Sequence, residues 1–334
     1  MSRIRLTPLT VITVAVAALL TISPFAVTSQ FYSRASLSTL TPLLGIMIIV
    51  ATGQAFVVGT GGIDLSIPAT ITLMGSIVLK ASGGHNDQIV KTILICLGAC
   101  IVIGFVNGVL VEGFGLNALV VTLAVGQLVA GITRLYRGQI LAFTQVPPRL
   151  ADAASARVAG VSYLLIAAFI FALLATVFLK RVVFGRRLVA SSAAARAAYL
   201  AGLRGQGYRI LAYVIASVTY GIGGVLAAAQ IGVPDLTLGD PYLLTTVVAI
   251  VLGGAVLSGG RVSPIATLLG ATFITVLDYD LRVLGYSAGT RLVVQGAVIA
   301  LGLSLVYVLQ NVSGLRTTLL RRPVIAVGAD QTLD

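Results

Sequence analysis

From residue 180 to residue 209 the chain holds Lys180, Arg181, Arg186, Arg187, Arg196, Arg204 and Arg209 and neither Asp nor Glu, while the sequence on either side is mostly long apolar stretches. That contrast constrains the fold more than any single motif. A cationic loop between hydrophobic spans stays on the cytoplasmic side of a membrane, because Lys and Arg resist translocation and favour anionic lipid. The loop therefore sets the direction of every other segment. Its alanine-rich middle, residues 189–200, reads as a short helix, a form suited to docking another protein.

Only 10% of the 334 residues are charged and 58% are hydrophobic, against about 25% charged in a soluble domain. So few charges cannot wet the surface of a globule this size, and the solvent is membrane lipid. The net charge of +12 raises nucleic acid as a partner, but the basic residues gather at Arg3 and Arg5, in the 180–209 loop, and at Arg316, Arg321 and Arg322. They form no stripe with interleaved aromatics. This is the positive-inside distribution, and it argues against nucleic-acid binding. Arg3 and Arg5 precede an apolar run in the manner of a signal peptide, yet the run 9–27 is long enough to span and no clear cleavage site follows it. It is read as a retained first helix. Cys96 and Cys100, four apart in an apolar run, read as buried thiols packed against a neighbouring helix rather than a metal or redox pair.

A span needs about 20 apolar residues. On that ruler the segments are 9–27, 42–58, 65–80, 89–110, 116–133, 160–179, 209–230, 242–258, 264–284 and 288–310. Starting inside, six crossings place the 180–209 loop inside, and ten place the C-terminal arginines inside as well. The expected fold is an all-α polytopic membrane bundle of about ten transmembrane helices, or eight with re-entrant segments. Residues 1–320 form one transmembrane domain with a cytoplasmic loop at 180–209, and 321–334 a cytoplasmic tail. The 134–159 loop then lies outside, where an external partner would meet it. Glycines inside spans, such as Gly98, Gly104, Gly108, Gly221, Gly223 and Gly224, let helix backbones approach closely in lipid.

Catalytic chemistry is scarce. The single His, His85, falls in a short loop, and the single Glu, Glu112, falls near a span end. Neither has a partner in sequence, and no nucleophile triad or metal-ligand cluster assembles. No GxxxxGK[ST] run is present, so ATP hydrolysis, if it drives this protein, takes place on another chain. What stands out is the stretch 59–68, where Gly59, Gly61, Gly62 and Pro68 interrupt an apolar region that also carries Asp64. Glycine costs a helix interior about 1 kcal/mol and proline about 3, so the stretch reads as a break between spans or a re-entrant turn. Backbone broken at membrane depth is tolerated only when buried in protein or lining a water-filled cavity. Asp64 there marks a functional or paired site, or caps the helix beginning near Leu65 or Ser66; the two roles are compatible.

A partial echo follows at 252–260: Gly253, Gly254 and Ser258 match Gly61, Gly62 and Ser66 at equal spacing, with Pro264 beyond. Both breaks fall on the same side of the membrane, which an inverted repeat about the chain's midpoint would not give. Asp278 and Arg282, at i, i+4, read as an interfacial pair beside Tyr279 and Tyr286. Gln54, Asn107, Asn117 and Gln127 either line a pathway or hydrogen-bond between helices.

At Gly61, Gly62, Ile63, Asp64, Leu65 and Ser66 the chain resembles the permease subunits of bacterial ABC sugar importers of the ribose, xylose and galactofuranose type, which carry GGIDLS early in the sequence. Asn107-Gly108, Thr122-Leu123 and the paired glycines Gly253, Gly254, Gly259 and Gly260 continue the likeness, which covers roughly 40–310. The run from Phe184 through Arg186 and Arg187, then Ala197, Ala198 and Gly202, is similar to the family's cytoplasmic loop that docks on the ATPase. The resemblance implies a plasma-membrane permease for a monosaccharide or similar small polar solute, with both termini cytoplasmic. It implies a second permease subunit, identical or homologous, a cytoplasmic ATPase pair and an extracytoplasmic sugar-binding protein. No cofactor is expected on this chain; ATP and Mg belong to the ATPase. Closure of the ATPases on ATP would push the 190–205 helix and tilt the bundle between outward- and inward-facing states. A secondary transporter or channel would instead need ionisable residues deep in several spans, where Asp64 stands nearly alone. An intramembrane enzyme would need paired acids, His or metal ligands.

Overall fold

In the computed structural model, residues 7–138, 144–193, 195–200, 202–256, 259–260 and 262–319 are described. Arg3, Arg5, Ser258, Arg321, Arg322 and the 321–334 tail lie outside the described residues. Each apolar segment expected from the sequence contains a helix, although the one expected over 242–258 stops at Leu252, and the ends are set by local chemistry.

Helix α1 (Pro8–Ala26) opens on Pro8 with the Thr7 hydroxyl accepting from the Thr10 amide, and α2 (Arg34–Thr60) opens on Ser33 in the same way. Proline at the first turn and a hydroxyl cap satisfy amides that lack helical partners. Helix α3 (Ile67–Ser82) follows the glycine break, and α4 (Ile89–Gly108) ends in a π-turn at Val109–Gly113. Helix α5 (Ala118–Arg137) is capped by Asn117, whose Oδ1 accepts from the Leu119 and Val120 amides. Asn117 is thus a capping residue rather than one lining a pathway. After α6 (Pro148–Ser155), a two-residue hairpin of β1 (Arg157–Val158) and β2 (Val161–Ser162) leads into α7 (Tyr163–Arg181). Then come α8 (Val183–Ala193), α9 (Ala195–Leu200), α10 (Gln206–Ile231), α11 (Tyr242–Leu252), α12 (Pro264–Val283) and α13 (Ala288–Leu319).

The protein is a multi-pass membrane protein. Seven of the described helices are long and apolar enough to cross a bilayer: α1, α2, α4 with its flanking turns, α5, α7, α10 and α12. Helices α3 and α11, of 16 and 11 residues, rise about 24 and 16 Å, short of a hydrocarbon core of about 30 Å. Each short helix adjoins a glycine break. Large side chains such as Val90, Leu94, Val102 and Phe105 on α4 and Phe169 and Leu174 on α7 face outward, as surfaces against lipid tails do.

At the centre stand α2 and α10. From Leu44 to Gly59 every residue of α2 is buried, and α10 packs against α2, α3 and α4. Close approach rests on glycine at particular points. A Cβ on Gly104 or Gly108 would sit 2.6 or 2.8 Å from backbone oxygens of Tyr213 or Ile210 on α10, and one on Gly224 would sit 2.9 Å from Ile71 O on α3. Gly98 differs: nothing lies within 4 Å of its missing Cβ, so it faces open space and packs no helix. The thiols behave as expected, with Cys100 Sγ 3.4 Å from Met74 Sδ on α3 and both cysteines free and buried.

The segment between α10 and α11 does not stay at a surface. A Cβ on Gly239 would fall 2.0 Å from Pro68 O, and the Gly239 amide donates to Thr72 Oγ1 at 3.1 Å. The chain therefore folds back along α3 to its N-terminal turn before α11 completes the crossing.

Candidate functional site

The break after α2 is built around Gly61, which ends the helix in the left-handed region at φ +91°, a conformation that a Cβ would penalise. Gly62 follows because the Tyr213 hydroxyl occupies its side-chain space: a Cβ there would lie 2.2 Å from that oxygen. Two residues on, Asp64 is completely buried. Its Oδ1 accepts from the Ser66 amide at 2.8 Å and the Ser66 hydroxyl at 2.6 Å. The residue at the helix cap position is Ser66, which makes no side-chain cap bond. Asp64 therefore shapes the turn that leads into α3 from two residues upstream.

Four other helices fasten this turn. Asn107 Nδ2 on α4 donates to Ser66 Oγ at 3.0 Å, and Gln54 Nε2 on α2 donates to Asp64 O at 3.2 Å. Tyr220 on α10 donates its hydroxyl to Gln54 Oε1 at 2.7 Å, and on α5 Thr122 Oγ1 accepts from the Leu65 amide at 2.9 Å. Asn107 and Gln54 thus act as interhelical partners. Among the described residues, Asp64 Oδ2 and Asn107 Oδ1 have no hydrogen-bond partner.

The second glycine break meets the first. The Gly260 amide donates to Gly59 O at 3.0 Å, and a Cβ on Gly259 would lie 2.8 Å from Gly61 N and 3.0 Å from its Cα. Gly259 and Gly260 hold φ values of +92° and +83°. Gly253 and Gly254 lie apart from this junction. Gly253 gives room to the Ala266–Thr267 backbone on α12, and Gly254, at φ +75°, gives room to Pro8 on α1. Of the residues singled out as a pathway motif, Gly61, Gly62, Asp64, Ser66, Asn107, Gly259 and Gly260 come together; Gly253 and Gly254 do not join them.

Beside the turn lies a cavity of about 500 Å³ between α3, α5 and the 232–241 segment. Its polar lining is Thr72, Gln127, Thr133, Arg134, Thr237 and Asp240, set among apolar residues that include Leu65, Pro68 and Leu123. Of the four neutral polar residues considered from sequence, Gln127 alone lines it. Asp240 and Thr237 belong to no sequence motif, although Gly232, Pro234, Gly239 and Pro241 around them mark a stretch that cannot continue a helix.

On the basic loop, α8 is clamped to the bundle and α9 packs on α8. Gly185 admits the Phe178–Leu179 backbone, with a Cβ–O distance of 2.2 Å, and Leu188 is buried. Arg187 Nη1 donates to Tyr208 Oη at 2.9 Å, while Arg186 is exposed. Arg209 pairs with Glu112 at 2.5 Å and reaches Ser191 O at 3.2 Å, a partner for Glu112 that sequence spacing could not reveal. Rings run in contact from Phe56 on α2 through Phe178 and Phe184 to Tyr208, with centroids 6.2, 5.8 and 4.9 Å apart. Ala197 lies in α9 with its side chain outside the described residues, and Ala198 is half-buried. Tyr199 and Leu200 are 73% and 80% exposed, and Gly202 turns the chain at φ +80° with nothing within 4 Å of its missing Cβ. Among the described residues no group of three or more His, Cys, Asp or Glu is placed to hold a metal ion.

A family model described as "Branched-chain amino acid transport system / permease component" matches residues 36–303. A probable ABC transporter permease protein of Sinorhizobium fredii is 31% identical over 243 residues, covering 72% of each chain. The ribose import permease protein of Escherichia coli K12 is 28% identical over 292 residues, 86% of this chain and 89% of that one. An autoinducer 2 import system permease protein of Salmonella typhimurium is 30% identical over 284 residues, 83% and 79% respectively. No solved structure matches.

Proposed function

From the premise that this chain belongs to the family of branched-chain amino acid transport system permease components, we propose that it forms the solute pathway of an ATP-binding-cassette importer for a monosaccharide or similar small polar solute. Relatives named as ribose and autoinducer 2 import permeases support that class of solute. The observation that carries the reading is the cavity beside the Asp64 turn. Three threonine hydroxyls and a glutamine amide share its lining with one cation and one anion, Arg134 and Asp240. The Thr133 and Thr237 hydroxyls donate to Val129 O and Asp235 and so keep lone pairs for a solute. The Thr72 hydroxyl, which accepts from the Gly239 amide, and the Gln127 amide can donate. This mixture suits a polyol, and the two opposite charges leave no net preference for an ion.

The protein sits in the bacterial inner membrane with both termini and the 180–209 loop cytoplasmic, as the positive-inside rule directs. The 500 Å³ cavity is its pathway wall, completed by a second permease subunit. A separate cytoplasmic ATPase, holding ATP and Mg, docks on α9, where Tyr199 and Leu200 offer exposed apolar surface beside Gly202. An extracytoplasmic binding protein delivers the solute.

The test is uptake of labelled ribose, with the binding protein added outside, into proteoliposomes carrying this chain with its co-purified ATPase. Uptake is expected to need ATP on the ATPase side and to fall at least about tenfold in Gln127→Ala, by loss of hydrogen bonds to a buried polar solute. Uptake without ATP would instead support a secondary transporter, and transport of leucine in place of ribose would reassign the solute.

A further inference from the structure

At the end of the bundle opposite α8, a second cavity of about 400 Å³ opens between α2, α11, α12 and α13. Its floor is apolar: Leu43, Met47, Leu244, Ile274 and Leu292 line it, and Leu244 and Leu292 are 45% and 56% exposed. Its mouth is polar, at the level where α12 ends and α13 begins. Here Asp278 accepts from Arg282 Nη2 at 3.1 Å, from Arg291 Nη1 at 3.0 Å on each oxygen, and from Gln295 Nε2 at 3.1 Å. The pair expected between Asp278 and Arg282 is therefore one part of a four-residue cluster.

The accounting of donors and acceptors leaves something over. A carboxylate offers about four lone-pair sites, and those of Asp278 are taken. Arg291 Nε is buried and has no acceptor among the described residues. That N–H is closed off behind the cavity wall, whereas the Arg282 side chain, 58% accessible, holds Asp278 through Nη2 and leaves the rest of its planar fork, which phosphate oxygens fit, accessible at the cavity. Across the same cavity stands the exposed carboxylate of Asp240, which suits a cation. An apolar floor below, arginines at the helix ends and an acid beside them describe an amphiphile lying along the bundle.

We propose that this cavity binds one phospholipid with an ammonium-bearing headgroup, its phosphate on Arg291 and Arg282, its ammonium at Asp240 and an acyl chain over Leu43, Met47 and Ile274. Shape argues for a lipid over a free anion, because inorganic phosphate would leave the apolar floor uncovered. Charge argues for a zwitterionic headgroup, because Asp278 offsets one of the two arginines and the Asp240 carboxylate, which faces the 500 Å³ cavity as well, gives this cavity an acid for an ammonium. Losing the charge-assisted bonds to phosphate weakens binding about tenfold to a hundredfold.

The experiment measures lipid bound to the full-length protein in mild detergent, by native mass spectrometry and by thermal midpoint after adding phosphatidylethanolamine, phosphatidylglycerol or inorganic phosphate. Phosphatidylethanolamine is expected to be retained and to raise the midpoint above either alternative. Arg291→Gln should lower retention at least about tenfold, Asp240→Asn should erase the preference over phosphatidylglycerol, and Ala288→Phe, which fills the mouth while leaving every charge in place, should also displace the lipid. Equal effects of the two lipids, an equal effect of inorganic phosphate, or unchanged retention in Ala288→Phe would each overturn the proposal. None of these readouts depends on transport.

Discussion

Replacing Gly259 by Ala tests whether the two glycine breaks are one structural joint. Two costs add at this position. The first is conformational: a left-handed φ of +92° costs an L-residue roughly 1–2 kcal/mol. The second is steric: the new Cβ would lie 2.8 Å from Gly61 N, whereas non-bonded carbons settle at about 3.5–4.0 Å. The backbones must part, and parting stretches the 3.0 Å bond from the Gly260 amide to Gly59 O. Stranding that buried donor costs about 1–3 kcal/mol. Gly285 supplies the control, since its φ is +81° and nothing lies within 4 Å of its missing Cβ. Gly285→Ala pays the first cost alone, and the reduced freedom of the unfolded chain is common to both. The expected difference between the variants is thus about 1–3 kcal/mol. Thermal unfolding in detergent at a single scan rate reads it as a lower apparent midpoint for Gly259→Ala, and uptake should fall in that variant only. Equal midpoints would mean that the joint does not exist.

Asp64→Asn keeps an oxygen for the Ser66 amide and hydroxyl, whereas Asp64→Ala strands both; thermal midpoints should place the Ala variant lower by about 1–3 kcal/mol, and equal midpoints would remove Asp64 from the turn. Glu112→Gln breaks the pair with Arg209, which is partly exposed with side chains 12% and 21% accessible. The loss should stay under about 1 kcal/mol and shrink at high salt; a midpoint difference that ignores salt would contradict an ion pair. Tyr199→Ser with Leu200→Ser should leave the midpoint unchanged and weaken ATPase binding, read in a pull-down, at least about a hundredfold, because burying two such side chains contributes about 1.5–3 kcal/mol each. Full recovery would move the docking surface elsewhere. Gly202→Val is a poorer probe of docking, since φ +80° strains any substituted side chain whether or not a partner is bound.

Most of the helices were legible because length and hydropathy are local properties. Thr7, Ser33, Ser162 and Ser263 cap helices where hydroxyls precede apolar runs, and the glycine break after Thr60 is written in composition. Contacts between distant segments left no such trace. Nothing in the sequence says that Gly260 meets Gly59, that Glu112 meets Arg209, or that the 232–241 segment turns back to Pro68. Each pairing depends on how helices cross, and small residues permit many crossings. The echo between 61–66 and 253–258 shows the limit well. Spacing matched Gly253 and Gly254 to Gly61 and Gly62, yet the pair that reaches the first break is Gly259 and Gly260.

The joint gains meaning from what is attached to it. Helix α2 is buried along most of its length, so it moves as a rod or not at all, because close-packed interiors transmit displacement rather than absorb it. At one end of that rod Phe56 touches Phe178 on α7, which touches Phe184 on α8, and that ring in turn meets Tyr208 on α10. One turn farther along, the same rod ends at Gly59–Gly61, where Gly260 is bound. The two short helices both start or finish here: α3 leaves after the Asp64 turn, and α11 arrives just before the second break. Between the first turns of α3 and the start of α11 lies the segment that lines the 500 Å³ cavity through Thr237 and Asp240. A force applied at α8 would therefore reach that cavity through one aromatic row, one helix end and one glycine joint. The glycines can absorb backbone rotation there that a helix interior cannot. Asp64 fits this arrangement as the fastener that keeps α3 registered to α2, α4, α5 and α10 while the joint beside it bends.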